Sequence, residues 1–213
     1  AIMRRVTAYG IAGLLGASLF VSALILLHLT RADIDWTTHY VSDFANGRLG
    51  SVFVFGILVH GLGNLALDLG LRRSLDPGPL RAWAVVLFGL SAAGIAVAAL
   101  FPTDPLGAAR TPVGLVHWVA ATVSFPLELV ALFLFSAAFA GNPFWRGRRG
   151  LSFALATVAA VALAGLFLAV SLNGMPGLAE RLALASFLAW EFWAAFQLAR
   201  LPSSPAARKG GPA

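Results

Sequence analysis

Six apolar stretches separated by short polar connections constrain this chain more than any other feature, at residues of about 8–30, 50–71, 81–101, 113–140, 151–172 and 181–200. Each meets or approaches the roughly 20 residues that a helix needs to cross the hydrocarbon core of a bilayer. No water reaches the backbone there, so every amide must bond within its own segment, which a helix achieves without a neighbour. The predicted fold class is an all-α integral membrane protein, a bundle of six transmembrane helices. Composition agrees, because 59% of the 213 residues are hydrophobic and 11% are charged. With a mean hydropathy of +0.85, this balance is foreign to a soluble domain of that size. No connection is long enough to house a second domain, so 1–201 reads as one unit. Residues 202–213, rich in Pro, Ser and Gly, are expected as a disordered cytoplasmic tail.

Cysteine is absent, which excludes disulfides, thiolate catalysis and Cys-ligated metals; a metal site would have to use His and carboxylate. A net charge of +6 and a pI near 11.3 would suit nucleic acid, but the basic residues lie between the apolar spans. They read as topology, with membrane lipids and no nucleic acid as partners. Arg4, Arg5, Arg72, Arg73, Arg81, Arg146, Arg148, Arg149, Arg200, Arg208 and Lys209 gather at one end of the spans, whereas Arg31, Arg48, Arg110 and Arg181 are at the other. The positive-inside rule then predicts both termini on the cytoplasmic side of a prokaryotic plasma membrane. Arg4 and Arg5 before an apolar run resemble a signal peptide. The run is too long for one and lacks a small-residue cleavage site, so it reads as an uncleaved first helix.

Ionisable groups inside a bilayer cost roughly 2.5–3.5 kcal/mol at a helix centre, so each one calls for a reason. In the second span His60, Asn64 and Asp68 recur every four residues and share a face, drifting about 40° per step. In the fourth, His117, Ser124 and Glu128 lie within about 20° of one meridian, and Glu180 and Glu191 repeat the offset of eleven in the sixth. Depth along the helices divides these residues into two clusters. An outer one would hold Ser42, Asp43, Asp104, His117, Glu180 and Arg181, and an intramembrane stripe would hold His60, Asn64, Glu128 and Glu191. Pro126 is expected to kink the fourth helix and free a carbonyl near Thr122. Both clusters also admit a purely structural reading, as interhelical polar glue and as turn and helix-start residues. His28 and His39 read as interface residues, and Trp145, Trp190 and Trp193 as anchors or packing.

The longest connection, 31–48, carries Asp33, Asp35, Trp36, His39, Tyr40, Ser42 and Asp43 before an Asn46-Gly47 turn signal. Its stretch Val41-Ser42-Asp43-Phe44-Ala45-Asn46-Gly47-Arg48-Leu49-Gly50 is followed by Phe101-Pro102-Thr103-Asp104-Pro105, by Gly114-Leu115-Val116-His117 and by Gly177-Leu178-Ala179-Glu180-Arg181-Leu182. Together these motifs resemble the membrane family catalogued as domain of unknown function 998, over nearly the whole chain. The resemblance implies a six-helix fold and no established activity. Where that family more often has Ser-Glu-Leu-Ala, this chain has Ser42-Asp43-Phe44-Ala45, a shorter carboxylate.

Two functional expectations follow from residue types. In the first, the outer cluster is the catalytic site of a membrane-embedded hydrolase or transferase acting on lipid. His117, Asp104 and Asp43 would hold a divalent metal such as Zn²⁺ that acidifies a bound water, and Arg48 or Arg181 would meet a lipid phosphate. A metal-free version uses His117 as base and Ser42 as nucleophile. The second is a proton-coupled transporter of a small solute, with His117, His60, Glu128 and Glu191 as its path. A structural or regulatory membrane subunit without catalysis is the third alternative.

Overall fold

The computed structural model describes residues 2–201, with side chains from Val6 onward; the tail expected at 202–213 and the side chains of Arg4 and Arg5 lie outside the described residues. The described chain forms α1 (Ile2–Thr30), α2 (Gly50–Ser74), α3 (Pro79–Leu100), α4 (Pro112–Ala138), α5 (Pro143–Arg146), α6 (Arg149–Ser171) and α7 (Pro176–Ala199), with 3-10 turns at Val41–Ala45 and Phe139–Gly141. Among the described residues there is no strand, and six of the helices are long and apolar enough to cross a membrane. The bundle is therefore the all-α architecture that the apolar stretches predict.

Local chemistry sets the ends. Proline opens α3, α4, α5 and α7, where its missing N–H is no loss and its fixed φ suits the first helical position. The Thr111 hydroxyl accepts from the Gly114 amide at 3.0 Å and caps α4. Helix α2 runs past the apolar count at Leu71 through Arg72 and Arg73 to Ser74, because cations in a last turn complement the helix dipole. Helix α7 starts at Pro176, ahead of the expected 181, so Glu180 and Arg181 are helical. Helix α4 continues through Pro126 to Ala138.

The connection after α4 holds more than the tight hairpin its composition suggests. Asn142 caps the short α5 by accepting from the Phe144 amide at 3.1 Å, and its own amide donates to the Ser74 carbonyl at 3.1 Å. Trp145 is fully buried, stacks on Phe139 at 4.4 Å, and donates its indole N–H to the Ser74 hydroxyl at 3.0 Å. Trp190 is equally buried and donates to Ser152, whose hydroxyl bonds Ser136. These tryptophans are packing residues with satisfied N–H groups, not interfacial anchors.

Helix α7 lies at the heart of the bundle, against α1, α2 and α6. Its most apolar window is 50% buried with a mean hydropathy of 1.4, whereas α6, at the periphery, is 22% buried with 2.5. Lipid-facing surface demands hydrocarbon, and protein-facing surface tolerates polar groups that find partners. Small residues bring α1 close to its neighbours: a Cβ on Gly16 would fall 2.8 Å from Gly63 Cα of α2. The result gathers α1, α2, α3, α4 and α7 around one interior space.

Candidate functional site

Helix α2 turns His60 and Asn64 toward α7, where Glu191 receives both. The His60 Nε2–H donates to Glu191 Oε2 at 2.7 Å, and the Asn64 amide donates to Oε1 at 2.7 Å. A carboxylate can only accept, so the His60 proton on this side is fixed at Nε2. The opposite face of the imidazole is held by Phe20 of α1, stacked 4.9 Å away at 9°. All three polar residues are buried. Glu128 of α4 lies close enough to Glu191 for the two carboxyl groups to share a hydrogen bond. Its Oε2 takes the Ser91 hydroxyl of α3 at 3.2 Å, and Oε1 is buried with no N–H or hydroxyl donor in reach.

Toward the end of the bundle that carries the 31–49 connection, His117 of α4 is buried and its Nδ1 lies 2.8 Å from the carbonyls of both Ala98 and Phe101. Carbonyls do not donate, so Nδ1 carries the proton and a neutral ring keeps Nε2 as an acceptor. Glu180 of α7 accepts from the Val41 amide at 2.5 Å, which ties the Val41–Ala45 turn over this end of the bundle. The same connection is seated on the start of α7: the Leu178 amide donates to the Thr37 carbonyl at 3.2 Å, and Gly177 is needed because a Cβ there would collide with the His39 carbonyl. Arg181 completes the seat, donating from Nη1 to the carbonyls of His39 and Gly177 and from Nε to His28 Nε2, each within 2.9 Å.

These features meet in a single cavity of about 80 Å³. Ser42, His60, His117, Ser124, Glu128, Glu180 and Glu191 contribute to its lining, among walls that include Phe20, Phe53, Phe125 and Phe187. The division into an outer and an inner cluster is thereby corrected. Depth counted along straight helices separates Glu180 and His117 from His60, Glu128 and Glu191, but the helices enclose one continuous space that all of them line.

Other expected site residues are turned elsewhere. Asp104 Oδ2 and Oδ1 accept from the Thr111 amide at 2.9 Å and hydroxyl at 2.8 Å, bonds that hold its carboxyl below the usual carboxylate range. Asp43 accepts from the Tyr40 amide at 2.9 Å within its own turn, and burial pushes its carboxyl up. Among the described residues, no three His, Asp or Glu side chains converge where a metal ion could be held. The metal set of His117, Asp104 and Asp43 is thus not assembled, because each Asp is spent on its own loop. Arg181 spends two of its nitrogens on protein acceptors while Nη2 is buried without a partner. Arg48 is exposed, and its main-chain carbonyl accepts from Arg31 Nη1 at 2.7 Å. Arg31 is itself buried; it also binds the Asn46 carbonyl and pairs with Asp33 at 2.7 Å, so it fastens the connection as a clamp.

Sequence reading left Ser91, Phe20 and Asp68 outside the site. Ser91 and Phe20 give no signal, being ordinary residues on apolar helices whose partners lie on other segments. Asp68 continues the four-residue stripe of His60 and Asn64, is buried, and has an unpartnered Oδ1 one turn beyond Asn64.

Fold and site together define a six-helix membrane-spanning protein with a His- and carboxyl-lined interior cavity, roofed at one end by an ordered connection. The chain belongs to the family described as Protein of unknown function (DUF998), whose model matches residues 14–197. That match takes in four of the six long helices whole and most of α1 and α7, together with the four motifs on which the resemblance stood. No curated protein and no solved structure matches the chain.

Proposed function

We propose that this protein is a proton-coupled carrier of a small solute, with the interior cavity as its binding site and Glu128 and Glu191 as the groups that exchange the proton. The observation that carries this reading is the shared cavity itself. Two carboxyl groups meet inside the bundle, one bonded to His60 and Asn64, the other to Ser91, and both line the cavity. Intramembrane carboxyl groups and His side chains that line a space between helices are the usual carriers of protons in transport.

The end of the bundle that carries Arg72, Arg73, Arg81, Arg146, Arg148, Arg149 and Arg200 is taken as cytoplasmic in a prokaryotic plasma membrane, with lipid around the bundle. The roofed end of the cavity then faces outward. A second reading is favoured by one feature: Ser42 and His117 line the same cavity, which places a hydroxyl and an imidazole in one space, the residue types of nucleophile and base in acyl transfer.

Proteoliposomes loaded with a pH-reporting dye test the carrier reading. A panel of small solutes is added across an imposed pH gradient, and solute-dependent proton movement is followed. Glu128→Gln and Glu191→Gln abolish it, while Asp104→Asn, which alters only a loop bond, has a milder effect. The opposite ranking, or hydrolysis of lipid esters lost in Ser42→Ala with no proton movement, favours the acyl-transfer reading.

A further inference from the structure

The interior cavity stops at the Glu128–Glu191 pair. Its lining residues nearest the basic end are Phe20 of α1, His60 of α2, Ile95 of α3, Glu128 of α4 and Glu191 of α7, and the rest lie toward the roof. A hydrogen bond between two carboxyl groups needs a proton on one of them, because a carboxylate only accepts. Glu191 already accepts from His60 and Asn64, so Glu128 holds that proton. A carrier has to hand it on to the basic end, and the cavity does not reach there.

Helix α2 supplies the next group in that direction. Asp68 follows Asn64 on the same face, about 6 Å further along the axis. Of the nine Asp and Glu residues, it alone lies on a helix between the pair and the connections of the basic end, and none of the four His does. Asp68 is 6% exposed, and its Oδ1 is buried without a partner. Across from it on α3 stands Gly89, where a Cβ would meet Asp68 Oδ2 at 3.7 Å and no atom of another helix besides, so space is left beside the carboxyl. The charged group that acts on Asp68 is Arg72, one turn on along α2 and exposed at the basic end. A buried carboxyl without a donor is kept as the acid, and a guanidinium one turn away steadies the charge left when its proton departs. We infer that Asp68 is the group through which the proton of the Glu128–Glu191 pair passes to the basic end of the bundle. This rests on the carrier reading above and names the inner half of its proton route. Asp68 first gives its own proton to water at the level of Arg72, and its carboxylate then takes the proton of Glu128 through a bridging water. Glu128, left as the carboxylate, takes a new proton from the cavity, so each group returns to its starting state.

The test reads charge movement after a pH jump and needs no solute. The full chain, tagged after its last residue, is reconstituted in sealed vesicles. Those that a resin captures by the tag present the basic end outward, and those that it passes present the roofed end. Adsorbed on a supported membrane, each population gives a transient displacement current as protons enter the pair. In the wild type an acid jump drives this current from both ends, and Glu128→Gln abolishes it. Asp68→Asn is expected to lower the current from the basic end at least about tenfold, since loss of a placed proton-transfer group costs that much or more, and to leave the current from the roofed end as it was. Asp68→Glu, which returns the carboxyl, restores it. An undiminished current from the basic end in Asp68→Asn overturns the route and leaves the carrier reading standing. Equal loss from both ends at unchanged helical content overturns the route too, because the residue then acts on the packing of the pair and not as a passage. No current from either end in the wild type refutes proton exchange by the pair, and the carrier reading falls with the route.

Discussion

The His60–Glu191 bond between α2 and α7 can be weighed by a double-mutant cycle. His60→Phe keeps an aromatic ring against Phe20 and removes the Nε2–H, whereas Glu191→Gln keeps the shape and turns one of two acceptor oxygens into a donor. Glu191 accepts two bonds of 2.7 Å from α2. Hydrogen bonds between membrane helices contribute about 0.6 kcal/mol on average and at most about 1.7. Glu191→Gln leaves one acceptor for two donors and sets its amide N–H against the other, which costs about 1–3 kcal/mol. His60→Phe costs about 1–2 kcal/mol, because Oε2 of a buried carboxyl loses its donor. Both variants remove the same bond, so the double variant should be less destabilised than the sum by about 0.6–1.7 kcal/mol. The assay is unfolding in mixed micelles with rising sodium dodecyl sulfate, followed by helical circular dichroism. Additivity within about 0.3–0.5 kcal/mol would refute the coupling, and with it the view that this pair fixes the wall of the cavity.

Two further outcomes are expected at the roofed end of the bundle. Gly177→Ala drives a methyl group into the His39 carbonyl and should cost about 1–3 kcal/mol in thermal unfolding, as overpacking does; an unchanged melting temperature would show that the connection is not seated on α7. The Asp35 carboxyl, held down to about 2 by the Thr37 hydroxyl and the Thr37 and Thr38 amides, contributes stability that is fully present above its ordinary value of 3.8. This contribution is lost as pH falls through the folded value near 2, because a depressed carboxylate pKa favours the folded form only while the group is charged. The amide resonances of Thr37 and Thr38 should shift together in that window and not in Asp35→Asn; movement of both in the variant too would assign the transition to another group.

Periodicity and composition determined a great deal by themselves. A helix in lipid must be long, apolar and internally hydrogen-bonded, so the six spans are legible from hydropathy alone. Helical spacing likewise showed that His60, Asn64 and Asp68 share a face, as do His117, Ser124 and Glu128. Basic residues marked one end of the bundle from the other. Tertiary structure decided which faces meet, because sequence spacing is silent on helix tilt and on which segments are neighbours. It brought Glu191 to His60 and Asn64, turned Glu128 toward Glu191, and merged two expected clusters into one cavity. It also spent Asp104 on Thr111 and Asp43 on the Tyr40 amide, where residue type alone had suggested metal ligands. Carboxylates in loops satisfy nearby amides first, since those bonds are local and cost little chain entropy, and only the folded chain reveals which acceptors remain free.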